Sequence, residues 1–234
     1  MVMKMYKYEL HCHTNGGSKC GKRTPTEQVE FYKAMGFTGL CITDHFFNGN
    51  CSVDKRLPWK ERVEEFLKPY KEAKKRGEEI GIDVFFGFEN AYGGTDFVIL
   101  GLDEQWLLDH PYCDKYSASE FATVAHESGA LVTQAHPFRE AKYIEMIRLL
   151  PRQVDAVEVI NANRTDFENK MADLYADNYG ITKVVGSDNH KGPEQERTCA
   201  VSLKEKANDI TDIIKAIKEN RHEIAVYNTE DLLK

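Results

Sequence analysis

The chain has 234 residues, 41% of them hydrophobic, which is enough apolar content for the core of one large α/β domain. Its formal net charge of −7 argues against a protein that binds nucleic acid through a basic stripe, because such a stripe needs an excess of lysine and arginine. No segment has the length and apolar content of a membrane span, and the first residues lack the apolar centre of a signal peptide. Six cysteines without a Cys-x-x-Cys pair indicate reduced thiols, so we expect a cytoplasmic protein.

The first predicted element is a strand from Met5 to His13, in which alternate side chains point to opposite faces. His11 and His13 therefore share one face. A helix follows from Thr24, where Thr24-Pro25-Thr26-Glu27 has the pattern of a capping box, to Gly36. The other elements of the first half are a strand over 38–43, a polar loop over 46–59 typical of a pocket rim, a helix over 60–76 that Pro69 kinks or restarts, and strands over 82–88 and 95–102.

The second half alternates helices and strands in the same way. Ser117 and Glu120 form a second capping box, at the start of a helix that reaches His126. The remaining elements are a strand over 130–135, a short helix marked by Ile144, Ile147 and Leu150, a strand over 154–160, a helix with Phe167, Met171, Leu174 and Tyr175 on one face, strands over 182–186 and 198–203, a helix with Ile210, Ile213, Ile214 and Ile217 on one face, and a strand over 223–227. This alternation predicts parallel βα units closed into a barrel, as a single α/β domain over residues 1–234.

Side chains of the kinds that bind metals follow the ends of these predicted strands. They are His11, His13, Asp44, His45, Glu89, His136, Asp188 and His190. In a barrel of βα units the C-terminal ends of the strands surround one mouth, so we expect these side chains to converge. Imidazoles and carboxylates are ligands of zinc, manganese and iron, and a carboxylate such as Glu89 can bridge two cations. The alternative is a hydrogen-bonded network without a cation, in which every group would need a partner.

The other three histidines do not follow strand ends. His126 lies inside a predicted helix, His110 lies in a loop, and His222 precedes the last strand. We expect these three to be structural or exposed to solvent.

Five stretches, in this order along the chain, resemble the motifs of the PHP (polymerase and histidinol phosphatase) family of metal-dependent phosphoesterases. They are His11-Cys12-His13, Ile42-Thr43-Asp44-His45, Gly87-Phe88-Glu89, Ala135-His136-Pro137 and Gly186-Ser187-Asp188-Asn189-His190. The resemblance covers nearly the whole chain. It implies a distorted (β/α)7 TIM-like barrel with a cluster of up to three divalent cations, zinc, manganese or iron, that hydrolyses a phosphate ester.

The resemblance also implies a division of the ligands among three metals. A first metal would be bound by His11, His13, Glu89 and Asp188. Glu89 would bridge to a second metal that His136 also binds. His45 and His190 would bind a third metal.

Two histidines of the family pattern are absent from this chain. One usually follows the first histidine pair, where this chain has Ser18-Lys19-Cys20, and the other usually lies after the bridging glutamate, where it has Asp96-Phe97-Val98. The first site is therefore complete and the other two are not. Cys20 or Asp96 is an alternative ligand at these places. Lys19 is either a solvated loop lysine or an ammonium group that replaces the third cation and contacts the substrate phosphate.

The function that we expect is hydrolysis of a small phosphorylated metabolite or nucleotide by a phosphomonoesterase, in which a metal-bound hydroxide attacks phosphorus. Arg139 is the first phosphate-binding candidate, because a guanidinium group matches two phosphate oxygens, and its alternative is a surface salt bridge with Glu140. Arg164 and Lys191 are further candidates. Asp44 either positions or protonates the leaving oxygen or orients an imidazole.

Three other functions stay open at this point. The first is a nuclease-like phosphodiesterase, although the negative net charge makes a nucleic-acid partner unexpected. The second is a degenerate metal-binding regulatory PHP protein without turnover. The third is a metal-dependent hydrolase of amides or lactones. Neither a membrane nor a particular oligomeric partner is indicated by the sequence.

Overall fold

The computed structural model describes residues 4–232. Within that range nine strands form a single sheet: β1 (Tyr6–Cys12), β2 (Gly39–Ile42), β3 (Asp83–Ala91), β4 (Asp96–Leu100), β5 (Leu131–Ala135), β6 (Ala156–Asn161), β7 (Thr182–Gly186), β8 (Arg197–Leu203) and β9 (Glu223–Asn228). The α-helices of the same range are α1 (Pro25–Ala34), α2 (Trp59–Ile80), α3 (Glu104–Asp109), α4 (Ala118–Glu127), α5 (Asp166–Tyr179), α6 (Ile210–Lys218) and α7 (Thr229–Leu232). None of these helices is long and apolar enough to cross a membrane.

The strands curve into a nearly closed barrel. The sheet order is β7-β6-β5-β4-β3-β2-β1-β8-β9, with parallel pairs within β1-β2-β3 and within β5-β6-β7. Backbone hydrogen bonds join the segment after β7 to the end of β1. The N–H of His13 donates to the carbonyl of Asn189 at 3.0 Å, and the N–H of Asn189 donates to the carbonyl of His11 at 3.3 Å. The predicted distorted TIM-like α/β barrel is therefore confirmed.

The prediction of parallel βα units throughout is wrong at β4, which runs antiparallel to both β3 and β5. Only Tyr92, Gly93, Gly94 and Thr95 separate β3 from β4, and the N–H of Tyr92 donates to the carbonyl of Thr95 at 2.9 Å. A parallel connection needs a crossover of a dozen or more residues, so this short link can only form a hairpin. Strands β8 and β9 are also antiparallel to their neighbours.

The short helix predicted around Ile144 and Ile147 is wrong, because residues 141–150 form no helix. Gln134 of β5 binds this segment instead. Its side-chain amide donates to the carbonyl of Arg148 at 2.8 Å and accepts from the N–H of Leu150 at 3.4 Å. These bonds occupy backbone groups that a helix would need for itself. As a result, Ile147 lies exposed rather than on a buried helical face.

The helix predictions are otherwise correct in position, with two differences in detail. α2 continues through Pro69 without the predicted restart, and Pro69 is buried. On α5 the buried residues include Ala172, Tyr175 and Ala176, whereas Phe167 and Leu174, which the periodicity placed on the buried face, are exposed. The buried stripe of α5 is thus shifted towards its small residues.

The capping boxes predicted for α1 and α4 are both confirmed. The Thr24 and Ser117 hydroxyls each accept a hydrogen bond from the N–H three residues later. Glu27 and Glu120 reach back to the N–H of the cap residue, which satisfies a second free donor at each helix start. These caps define the ends of two loops, the one between β1 and α1 and the one before α4.

Candidate metal centre

The side chains predicted to converge do lie together, near the C-terminal ends of β1, β2, β3, β5 and β7. The Nε2 atoms of His11 and His13 are 3.1 Å apart, which confirms that the two rings share one face. His13 Nε2 lies 3.5 Å from a carboxylate oxygen of Glu89 and 3.3 Å from one of Asp188. His11 Nε2 lies 3.6 Å and 3.7 Å from oxygens of the same two residues. All four side chains are buried.

A second group surrounds the other side of Glu89. His136 Nε2 lies 3.0 Å from Glu89 Oε1, and His45 Nδ1 lies 2.6 Å from Glu89 Oε2. One ligand-type atom each from Glu89, Asp96 and His136 lies within 4.8 Å of the others. Asp96 therefore lies beside the bridging glutamate, in the region where the family pattern has a histidine and this chain has none.

A third group consists of His13, His45 and His190, whose ring nitrogens also lie within 4.8 Å of one another. The thiol of Cys20 joins this group, with Sγ 3.1 Å from His45 Nε2. Lys19, by contrast, is exposed, and its backbone N–H donates to the carbonyl of Asn50. The exposure of Lys19 argues against an ammonium group in the place of a third cation, because the neighbouring Cys20 faces the histidines instead.

The hydrogen-bond partners of the first two rings fix their tautomers. His11 Nδ1 lies 2.9 Å from Glu158 Oε1, and a carboxylate can only accept, so Nδ1 carries the proton. The single hydroxyl proton of Ser18 is donated to Asp44 at 2.7 Å, so Ser18 Oγ must accept from His13 Nδ1 at 3.0 Å. Both Nε2 atoms therefore face each other and the carboxylates of the centre.

Two imidazole nitrogens and two carboxylates around one point form a donor set of the kind that binds a divalent cation. A cation would contact both Nε2 atoms together with Glu89 and Asp188, whereas a proton shared between the two nitrogens would join only the two rings. One atom of the second group also lacks a partner. His136 Nδ1 is buried and has no hydrogen-bond partner in the described part of the chain. The residues of this centre therefore fit a metal cluster.

The electrostatics of the centre agree with this conclusion. Burial alone would lower the pKa of His11, but Glu158, Asp188 and Glu89 raise it well above its usual value. Burial is likewise outweighed at His45, where Glu89 is the main cause that raises the pKa to about 11. The pKa values of Glu89 and Asp188 lie well below their usual range, because nearby imidazoles outweigh the effect of burial. The carboxylates thus stay charged and attract positive charge into the centre.

The backbone is strained at two positions of the centre. His136 has a φ of 29° and Asp188 a φ of 49°, in the region that residues with a Cβ rarely occupy. His136 directly follows β5, and Asp188 is the second residue after β7. Strain of this kind persists where the surroundings hold a residue in place, and it is typical of functional sites.

Asp44 is buried, and neighbouring residues engage both of its carboxylate oxygens. Its two oxygens accept hydrogen bonds from the backbone and hydroxyl of Thr14 and from the hydroxyl of Ser18, each at 2.7 Å. Ser18 in turn contacts both His13 and the backbone of His45. This arrangement argues against contact between Asp44 and a leaving oxygen, and it matches the alternative in which Asp44 orients an imidazole.

Sequence reasoning did not identify Glu158, Ser18 or Glu9. Glu158 and Glu9 are buried carboxylates in otherwise mostly apolar strands, which is the signal that could have revealed them. Glu9 accepts from the backbone of His11 and Ser187 at 2.9 and 3.0 Å and lies below the histidine pair. Burial is the main cause that raises the pKa of Glu9, to about 7.

A cavity of about 610 Å³ lies over the centre. The basic residues along its wall are Lys22, Arg139, Arg164 and Lys191, and the wall also includes Cys20, His45, Asp96, Asp188 and His190. Arg139 pairs with Asp96 at 3.3 Å and hydrogen-bonds the hydroxyl of Tyr143. The predicted alternative of a surface pair with Glu140 is not formed. Lys19 is not among the residues of the wall.

The three histidines expected to be structural lie in other surroundings. His110 stacks on Trp106, His126 pairs with Asp155 at 3.1 Å, and His222 hydrogen-bonds the carbonyl of Lys183 at 2.8 Å. None of them lines the cavity over the centre. The strand-end rule therefore separated the two kinds of histidine correctly.

Comparison with known proteins places this centre in a family. The PHP domain model matches residues 9–226. A comparison with curated proteins gives no match. Among solved structures, the chain is similar to a two-domain protein from Bacteroides vulgatus that contains a predicted PHP-like metal-dependent phosphoesterase, with a TM-score of 0.70 and 16% identity over 96% of this chain. This chain spans 65% of the length of that protein.

Two further structures share the fold. An amidohydrolase from Chromobacterium violaceum gives a TM-score of 0.56 at 16% identity, covering 97% of this chain and 99% of that one. A lesion-specific endonuclease from Pyrococcus furiosus gives a TM-score of 0.59 at 15% identity, covering 94% of this chain and 58% of that one. At these identities the likeness shows the fold alone. The family model, however, matches almost the entire length, and the chain belongs to the PHP domain family.

Proposed function

We propose that this protein is a phosphomonoesterase that hydrolyses a small phosphorylated metabolite or nucleotide with the help of a divalent-metal cluster. The observation that supports this most is the pair of facing imidazole Nε2 atoms beside Glu89 and Asp188, directly under a cavity with basic walls. These four groups form a donor set for a cation, and the basic walls attract an anionic ligand.

The ligands proposed for the cluster follow the three groups of side chains. His11, His13, Glu89 and Asp188 would bind a first metal. Glu89, His136 and Asp96 would bind a second, and His45 and His190 would belong to a third. The mixture of imidazole and carboxylate suits zinc, manganese or iron.

When bound, divalent cations in such a cluster activate water and neutralise charge on the phosphate oxygens. The residues of the chain orient the substrate. The Nε atoms of Arg139 and Arg164 are buried without a hydrogen-bond partner among residues 4–232, and both side chains line the cavity. Phosphate oxygens would satisfy these donors. Lys22 and Lys191 add positive charge at the same wall, which draws an anion towards the centre.

The size of the cavity supports a small substrate. Its volume of about 610 Å³ lies within the range of pockets that enclose a metabolite or nucleotide. The rim is formed by Asn48, Gly49 and Asn50 on one side and by Gly93 and Gly94 on the other. A monoester presents its phosphate at one end, so it can reach the centre without continuing chain on both sides.

A phosphodiesterase acting on short nucleic acids is the second candidate. A neighbouring cavity of about 590 Å³ shares Asn163, Arg164 and Lys191 with the first, so a longer substrate could extend into it. The fold is also found in an endonuclease. If short oligonucleotides are cleaved faster than any monoester, this second candidate replaces the first. The fold shared with an amidohydrolase makes amide and lactone substrates necessary members of the same substrate panel.

The test compares the purified wild-type protein with the double variant His11→Ala/His13→Ala and with the control His110→Ala. We expect zinc-, manganese- or iron-loaded wild-type protein to hydrolyse a monoester, and to lose this activity after chelation. The double variant should be inactive and the control active, because His110 lies outside the centre. Turnover by the double variant would contradict the proposal. Stable metal binding without turnover on phosphoesters, amides or lactones would instead favour a regulatory role.

A cytoplasmic location is part of the proposal. All six cysteines lie within the described residues and are unpaired, and five of them are buried. Free thiols of this number are typical of a reducing compartment.

A further inference from the structure

The loop after β1 brings a thiol to the third group of histidines. Cys20 Sγ lies 3.1 Å from His45 Nε2, and the ring of His190 also interacts with the thiol. The loop is held on both sides of Cys20. The N–H of Lys19 donates to the carbonyl of Asn50, and the N–H of Lys22 donates to the carbonyl of His190 at 2.8 Å. The position of the thiol is therefore fixed by the backbone rather than by its own weak hydrogen bond.

Each of the two rings uses its Nδ1 atom for another partner. His190 Nδ1 donates to the carbonyl of Asp188 at 2.9 Å, and His45 Nδ1 lies 2.6 Å from a carboxylate oxygen of Glu89. The Nε2 atom of each ring is therefore the one left for a further ligand, and that of His45 faces the Cys20 thiol. A cation at this place would have three ligands, the thiolate and both rings.

We propose that Cys20 is a thiolate ligand of the third cation, together with His45 and His190. This inference rests on the proposed function, because it assumes the metal cluster. It assigns a sulfur ligand to the position where the chain lacks a histidine of the family pattern. Sulfur is a softer ligand than oxygen or nitrogen, so the site prefers zinc or cadmium to manganese or magnesium. The first site, which has no sulfur ligand, does not share this preference.

The first experiment measures the accessibility of the thiol. Cys20 lines the cavity, whereas the other five cysteines are buried, so iodoacetamide should alkylate metal-free protein at Cys20 first. Saturating zinc or cadmium should slow this alkylation at least tenfold, as measured by peptide mass spectrometry. Manganese should protect much less. Unchanged alkylation of Cys20 in protein that has bound three equivalents of zinc would overturn the inference.

The second experiment detects the metal–sulfur bond directly by cobalt substitution. Wild-type protein loaded with Co²⁺ should show a near-ultraviolet thiolate-to-cobalt charge-transfer band, and Cys20→Ser should lose it. Cys113→Ala, which removes a buried cysteine outside the centre, should keep the band. In Cys20→Asp a carboxylate should retain the third equivalent without the band. Far-ultraviolet circular dichroism checks that each variant is folded.

The outcomes distinguish a failure of this inference from a failure of the proposed function. Visible cobalt bands without a charge-transfer band in the wild type would overturn the role of Cys20 and leave the metal cluster intact. A charge-transfer band that survives in folded Cys20→Ser would also overturn it. Failure of the wild type to bind any cobalt, zinc or manganese would overturn the proposed function itself.

Discussion

The orientation of each histidine in this centre is set by a residue that does not itself face the cation. Glu158 accepts from His11 Nδ1, and Ser18 accepts from His13 Nδ1. Each contact fixes a tautomer and directs the other ring nitrogen into the centre. Sequence reasoning found the histidines because they follow strand ends. It did not find Glu158 or Ser18, because their roles depend on which ring they meet in space.

Glu158→Gln should weaken zinc binding by about 10–100-fold, the usual effect of removing a partner behind a metal ligand. Glu158 Oε2 accepts from the N–H of His136 at 3.0 Å and from the amide of Asn161 at 2.8 Å. A glutamine side chain has only one acceptor oxygen, so it cannot accept these two hydrogen bonds and also the one from His11 Nδ1. The measurement is a competition titration with a chromophoric chelator. Glu127→Gln, on the exposed surface of α4, should bind zinc as the wild type does. Equal affinities in both variants would contradict the prediction.

Arg139→Lys tests the phosphate-binding role at the cavity wall. The guanidinium group of Arg139 uses Nη2 for Asp96 and Tyr143, and its Nε has no hydrogen-bond partner among the described residues. Lysine keeps the charge but cannot contact Asp96 and a phosphate in fixed directions. Hydrogen bonds to charged groups contribute about 1.5–3 kcal/mol, so kcat/KM should fall about 10–100-fold. Arg56→Lys, at an exposed pair with Asp54, is the control. A decrease of the same size in this control would refute the role of Arg139.

At the scale of whole elements, the sequence indicated the places of most helices and strands but not the direction of every strand. Capping boxes and apolar strands depend on neighbouring residues, and the structure has them close to the predicted places. The direction of β4 depends on the length of one link and on pairing with both neighbours. The loss of a helix at residues 141–150 depends on Gln134, which comes earlier in the chain. Periodicity within one segment carries no information about such contacts.

The third histidine group also depends on contacts that a local sequence pattern does not indicate. The family resemblance indicates that a ligand is missing at Ser18-Lys19-Cys20, but it does not indicate which side chain replaces it. A Cβ atom added at Gly17 would lie 2.4 Å from the Asp44 side chain, and one added at Gly21 would lie 2.3 Å from the backbone of Thr14. These close approaches fold the loop back on itself. The fold turns Ser18 and Cys20 inward and Lys19 outward.

A third capping box, at α5, connects a helix start to the cavity wall. The Thr165 hydroxyl accepts from the N–H of Glu168, and Glu168 in turn accepts from the N–H of Glu140, next to Arg139. Thr165→Ala should reduce the free energy of unfolding by about 0.5–2 kcal/mol and raise KM, because the segment with Arg139 loses its anchor. Ser117→Ala, at the box of α4, should lose similar stability without affecting KM. Urea unfolding and steady-state kinetics measure the two effects. Equal KM values in the two variants would show that the anchor does not matter.

The centre joins both halves of the barrel in the molecule as a whole. Its ligand-type residues come from β1 and β3 in one parallel block and from the ends of β5 and β7 in the other. Strand β4 pairs with both blocks on one side, and backbone hydrogen bonds join the end of β1 to the segment after β7 on the other. A bound cation would therefore add a further link between segments that lie far apart in the sequence.

Metal should for this reason stabilise the whole fold and not only the loops around the centre. Without a cation, the buried carboxylates of Glu89 and Asp188 are compensated mainly by nearby imidazoles. Zinc at 100 times its dissociation constant adds about 2.7 kcal/mol to the free energy of unfolding, which for a domain of this length raises Tm by about 5–10 °C. Scanning calorimetry of chelated and zinc-loaded protein measures the difference. The variant His11→Ala/His13→Ala should show little of this shift, and a full shift in that variant would mean that zinc stabilises the protein elsewhere.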